Sequence, residues 1–195
     1  MNLKAWLNPL FAIKRLNYAI YEYWHPDEPW IAQGAVRFCK QQLSKDQVML
    51  EWGSGRSTIW FAERVKHLTC VEHDELWYGR VARCISAKNQ SNISYLFRPL
   101  HHSPQVGIPF KEQMATPYVQ VAALFEKESL DAVIIDGHYR EACINAILEK
   151  LKPSGLLMVD NTDWLPLEKW GVPPDWPIIH QSRNVMTQTT IWLKP

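Results

Sequence analysis

The stretch Gln47-Val-Met-Leu-Glu-Trp-Gly-Ser-Gly-Arg-Ser-Thr58 decides the fold. Residues 47–51 form a short apolar run that stops at two closely spaced glycines, and a helical pattern follows from Ser57 to about Lys66. That order predicts a buried strand, a sharp turn and a helix, with the glycines letting a ligand approach the main chain. Working outward, 67–72 (HLTCVE) reads as a second strand, and Asp74 as the cap of the helix after it. Further strands are expected at 92–97, 130–136 (LDAVIID) and 155–160, and a closing hairpin at 177–181 and 188–193. Helices are expected near 115–127 and over 139–152, the latter stopped by Lys152-Pro-Ser-Gly155. Strands alternating with helices predict an α/β protein with a mostly parallel sheet covered on both faces. The close spacing of the last two strands predicts one antiparallel member.

Residues 1–24 place Leu3, Trp6, Leu7, Leu10, Ile13, Leu16 and Ile20 at helical spacing, and a second helix is expected over 29–43. We read 1–44 as a helical lead-in and 45–195 as the ligand-binding domain. The first helix suits a contact with its own domain, with a second copy in a homodimer, or with a membrane surface. A chain of 195 residues, 47% apolar, can bury one sizeable core. A net charge of +1 with no Lys/Arg block predicts a small-molecule or glycan acceptor rather than nucleic acid. Four scattered cysteines without zinc spacing, no secretory signal and no run of about 18 apolar residues predict a reduced, cytoplasmic protein with mostly buried thiols.

Glu72 closes the second strand about 20 residues after the glycine turn, where a carboxylate can accept both hydroxyl protons of a ribose. Glu51 stands directly before the glycines. An acid there opposes a pyrophosphate and suits the cationic amino end of methionine. The third glycine of the dinucleotide pattern is missing, since Ser57 and Thr58 occupy that region. These features favour a sulfonium nucleoside over a dinucleotide. A nicotinamide-dependent oxidoreductase, and a non-catalytic module of the same fold that binds a partner, remain as rivals. A second constellation, Asp136, His138, Asp160 and Asn161, falls at the carboxyl ends of two strands. His138 is the general-base candidate, because imidazole accepts a proton near neutrality. His101 and His102 are secondary candidates, and Arg140 would bind an acidic substrate or pair with a neighbouring carboxylate. Trp30, Trp164, Trp170 and Trp176 would wall an acceptor pocket or a subunit contact.

The motifs EWGSGRST (51–58), CVEHD followed by WY (70–78), IIDGHYR (134–140) and LLMVDNTDW (156–164) resemble those of bacterial class I S-adenosylmethionine-dependent methyltransferases. The likeness runs over about residues 25–195. It implies a Rossmann-like three-layer α/β/α sandwich with seven strands, the last antiparallel. It also implies S-adenosyl-L-methionine contacts from Glu51, Gly53, Ser54, Gly55, Ser57, Thr58, Glu72 and His73, with Asp136 facing the methionine end or the transferred methyl. Asp136, Asp160 and Asn161 also match, residue by residue, the metal triad of cation-dependent O-methyltransferases, which implies a divalent cation such as Mg²⁺. The chain departs from that second group after Asp136, where Gly137-His138-Tyr139-Arg140 follows and the group has a different sequence with a lysine nearby.

Overall fold

The computed structural model describes residues 9–100 and 107–195. The expected Leu3, Trp6 and Leu7 of the first helix, and His101 and His102, lie outside the described residues. In chain order the elements are α1 (Pro9–Trp24), α2 (Gln33–Gln42), β1 (Val48–Trp52), α3 (Arg56–Ala62), β2 (His67–Glu72), α4 (Glu75–Ala87) and β3 (Ile93–Phe97). They continue with α5 (Phe110–Met114), α6 (Pro117–Gln120), β4 (Leu130–Ile135), α7 (Arg140–Ile147), β5 (Leu151–Val159), β6 (Ile178–Arg183) and β7 (Gln188–Leu193). The seven strands are ordered β3-β2-β1-β4-β5-β7-β6. β1 to β5 pair in parallel, and β7 runs antiparallel to β5 and β6. The chain winds outward from β1 to β3 and then returns to place β4 on the other side of β1. A crevice therefore opens between the loops after β1 and β4, where ligands bind in open α/β sheets.

Period-two alternation sorts the core into two layers. Leu50, Trp52, Val133, Ile135, Leu157 and Val159 face α7 and the two buried tryptophans Trp170 and Trp176. Met49, Cys70, Ile134 and Met158 face α2 and α3. Cys39, Cys70 and Cys143 are buried, and Cys84 is exposed.

Three sequence expectations change in extent. The helix expected near 115–127 is broken into α6 and a 3₁₀ turn at Val121–Leu124, with Pro117 in the first turn of α6 and Thr116 capping it. The helix expected to 152 ends with α7 at Ile147. Leu151 already pairs with Leu130, so β5 runs through Pro153-Ser154-Gly155 with a register shift. In α1, Leu10, Ile13, Leu16 and Ile20 face solvent and Tyr18 is the buried residue, so the apolar stripe is not the face that meets the domain. No helix among the described residues is long and apolar enough to cross a membrane.

Candidate active site

Four carboxylates share one face of the sheet. Glu51, Glu72, Asp136 and Asp160 each stand two residues after a core residue (Met49, Cys70, Ile134 and Met158), so each continues the α2/α3-facing row at the carboxyl end of its strand. Their surroundings then separate them.

The loop after β1 turns at Gly53, whose φ is +93°. A Cβ there would stand 2.8 Å from the Gly137 nitrogen, and a Cβ on Gly137 would overlap the Tyr118 hydroxyl. The β1 and β4 loops are thus in main-chain contact, which only glycine permits. Trp77 Nε1 donates to the Ser54 carbonyl (2.7 Å) and ties α4 to the same loop. Beside it lies a cleft of about 680 Å³ lined by Gly53, Ser54, Glu72, His73, Trp77, Asp136 and His138, among others. Glu72 Oε2 accepts from the Ser54 amide (3.1 Å) and hydroxyl (2.7 Å), and Oε1 from the His73 (2.7 Å) and Asp74 (2.9 Å) amides. Burial raises the pKa of this acid, but the donors outweigh it and hold the acid at about 2. The Ser54 hydroxyl also lies 2.7 Å from the Tyr95 hydroxyl, so it has a second partner to turn to when a ligand hydroxyl reaches Glu72.

Glu51 is 1% exposed and is not on the wall of this cleft. Ser57 donates to its Oε1 (2.6 Å), and its Oε2 has no partner. Burial pushes its carboxyl up to about 7, so it carries only partial charge at neutrality. Thr58 is fully buried and accepts from the Gly55 amide (3.1 Å). Glu51, Ser57 and Thr58 therefore brace the loop from behind, whereas Gly53, Ser54, Glu72 and His73 reach the cleft.

A second cavity of about 450 Å³ lies on the α1 side, lined by Tyr18, Glu22, Trp30, Asp136, Asp160 and Asn161, among others. Asp136 is the residue common to both walls. Burial, then the charge of Asp160, push its carboxyl up to about 7 against the opposing pull of Arg140. Arg140 is the residue that sequence reasoning undervalued. Its buried guanidinium donates to the carbonyls of Gly137 (2.9 Å), Asp136 (3.1 Å) and Asp160, and to Asp136 Oδ1 (3.0 Å). The signal was available, since Asp136 and Arg140 are four residues apart across a helix start. His138 stands beside His73, with ring centroids 4.4 Å apart, and its partial burial, then the neighbouring His73 and Arg140 side chains, lower its pKa. Of the tryptophans, Trp164 lines the cleft beneath the Arg140 guanidinium and Trp30 lines the second cavity. Trp170 and Trp176 are core residues, and Trp170 also lines a smaller cavity with His138, Arg140 and Trp164.

A family model described as a methyltransferase domain matches residues 50–162, more than half of the chain. The chain belongs to the methyltransferase-domain family. No curated protein sequence matches this methyltransferase. Its fold is that of a putative methyltransferase, yhhF, from Escherichia coli, with 13% identity, 83% of this chain and 82% of that one covered, and a TM-score of 0.61. SMU.1697c, a putative methyltransferase from Streptococcus mutans solved with SAH, gives 13% identity, coverages of 82% and 94%, and a TM-score of 0.60. An rRNA methylase from Streptococcus thermophilus gives 13%, 81% and 92%, and 0.59.

One expectation is corrected, and a second finds no support. The near-neutral charge predicts no nucleic-acid partner. The same fold at similar length serves an rRNA methylase, so the lack of a basic block excludes no such acceptor. The metal triad of Asp136, Asp160 and Asn161 is unsupported as well. Asp160 is spent on the hydroxyls of Thr189 (2.5 Å) and Thr187 (2.7 Å), and the Asn161 amide donates to Thr187 (2.8 Å). The Arg140 guanidinium already supplies the cation beside Asp136. Among the described residues no group of three or more His, Cys, Asp or Glu could hold an ion.

Proposed function

We propose that this methyltransferase uses S-adenosyl-L-methionine and methylates an oxygen or nitrogen of an acceptor entering from the α1 side. The observation that carries the reading is Asp136, which stands in both the glycine-loop cleft and the α1-side cavity. Gly53, Ser54, Glu72 and His73 would hold the nucleoside half of the cofactor. Glu72, ionised at all physiological pH, suits a ribose diol and opposes a diphosphate, which counts against the nicotinamide reading. The bound cofactor supplies an electrophilic sulfonium methyl. The chain's own task is alignment and proton removal, and alignment alone is worth roughly 7–11 kcal/mol at best. The acceptor's lone pair forms the new bond to the methyl carbon while the sulfur–carbon pair stays on sulfur. Asp136 takes the acceptor proton, and His138, held neutral, lies within the same cleft as a second acceptor. Arg140 fixes the Asp136 carboxylate, and Asp160 fixes the start of the following loop through β7.

Calorimetry with S-adenosylhomocysteine tests the reading. The wild type is expected to bind it and to ignore NADH, and Glu72→Ala to lose at least about tenfold in affinity, the scale of charge-assisted hydrogen bonds. Equal affinity in wild type and variant sinks the role of Glu72, and tight NADH binding sinks the reading altogether.

A further inference from the structure

A third cavity, larger than the other two at about 840 Å³, opens between α1, α2 and the β6–β7 hairpin. The amides of Asn17, Gln33 and Asn184 and the guanidinium groups of Arg37 and Arg183 line it, and none of its lining residues is acidic. The adjoining α1-side cavity carries more acid than base, with Glu22, Asp136 and Asp160 on its wall against Arg15. Tyr18 is common to both, and Asp136 joins the second to the cofactor cleft. Arg183 pairs with Asp163 (3.0 Å), while Arg37 makes no ion pair among the described residues. The groove therefore keeps an excess of positive charge. Every residue of its wall lies outside positions 50–162, the part that the family shares. Chemistry common to the family sits inside that part, so a wall built outside it is where an individual acceptor would be recognised.

Resting on the methyltransferase reading above, we propose that this groove is the acceptor's oxyanion subsite. Arg37 and Arg183 hold a phosphoryl group, and the hydroxyl or amine to be methylated passes Tyr18 to lie against Asp136. Guanidinium forks match phosphate oxygens, and the neighbouring amides supply further donors. The volume suits a ligand of small-molecule size. The phosphoryl group belongs either to a small phosphorylated acceptor or to a polynucleotide backbone, and the chemistry at the groove is the same.

The test is calorimetry of the full chain with inorganic pyrophosphate at low ionic strength. Pyrophosphate is expected to bind the wild type and to bind Arg37→Ala/Arg183→Ala at least about tenfold more weakly. The same variant keeps its affinity for S-adenosylhomocysteine, since neither arginine lines the cofactor cleft. No binding to the wild type, undiminished binding to the variant, or displacement of pyrophosphate by S-adenosylhomocysteine overturns the proposal. Failure of S-adenosylhomocysteine alone overturns the cofactor reading instead and leaves the arginine dependence measurable. A single-stranded RNA decamer separates the two sources. Binding about a hundredfold tighter than pyrophosphate, steeply salt-dependent and lost in the variant, assigns a polynucleotide. Binding no tighter than pyrophosphate assigns a small phosphorylated acceptor.

Discussion

Glu72 and Asp136 stand in one row of the sheet yet titrate in opposite directions, because donors surround the first, while burial and then a second acid act on the other. Four hydrogen bonds from Ser54, His73 and Asp74, all within 3.1 Å, reach Glu72 and keep it ionised. Asp136 has one guanidinium for a partner and Asp160 for a neighbour, and its carboxyl rises to about 7. A proton acceptor must be ionised before it can act, so methyl transfer is expected to increase with pH through a midpoint near 7. Arg140 opposes that rise. Arg140→Met is therefore expected to move the midpoint of kcat/KM to higher pH, and Arg140→Lys to restore part of it. A midpoint that stays in place in both variants refutes the link between Arg140 and Asp136. At this scale the acids themselves were legible in the sequence, but their protonation was not. It depends on which donors from distant segments, such as Thr187 and Thr189 at Asp160, complete each one.

At the level of elements, the site depends on how closely two loops approach. The β1 and β4 loops meet at Gly53 and Gly137, with the buried Tyr118 hydroxyl from α6 pressed against the second glycine. That hydroxyl has no hydrogen-bond partner. Gly137→Ala is expected to cost about 1–3 kcal/mol by overpacking. Tyr118→Phe is expected to be neutral or slightly stabilising, because it removes an unsatisfied buried group. Combining them should recover much of the alanine's cost, since the clash is with the oxygen. Chemical denaturation of the three variants checks this, and strict additivity would rule out the contact as the cause. The strands were legible from apolar runs of strand length, and the Asp74 cap from residue type, with Asp74 Oδ1 accepting from the Trp77 amide at 2.7 Å. The helices near 115–127 and 139–152 were read too long. Helical periodicity in short windows does not register a proline in the first turn or the pull of a strand partner such as Leu130 on Leu151.

Over the whole molecule, the acid row sets how stability responds to pH. Glu51 and Asp136 have folded pKa values above their unfolded ones, so the folded state binds more protons between about pH 4 and 7. Their contribution is fully present below that window and is lost as pH rises through it. Glu72 is depressed, so its contribution is present above the ordinary carboxylate range and lost as pH falls toward about 2. The row therefore favours a stability maximum in mildly acidic solution. Glu51→Gln removes one alkaline-side loss and is expected to stabilise at pH 8 by on the order of 2 kcal/mol while changing little at pH 5. Thermal unfolding at both pH values checks it, and an equal effect at both would show that Glu51 does not titrate in this window. The sequence by itself determined the class of fold, the positions of the strands and the acids at the strand ends, because apolar periodicity and glycine turns are local properties of the chain. Only the tertiary structure decided that Glu51 sits behind the loop, that the Arg140 guanidinium stands beside Asp136, and that α1 walls a cavity next to it. Those facts follow from side-chain parity and from packing between segments, and of these only the four-residue spacing of Asp136 and Arg140 leaves a mark in the local sequence.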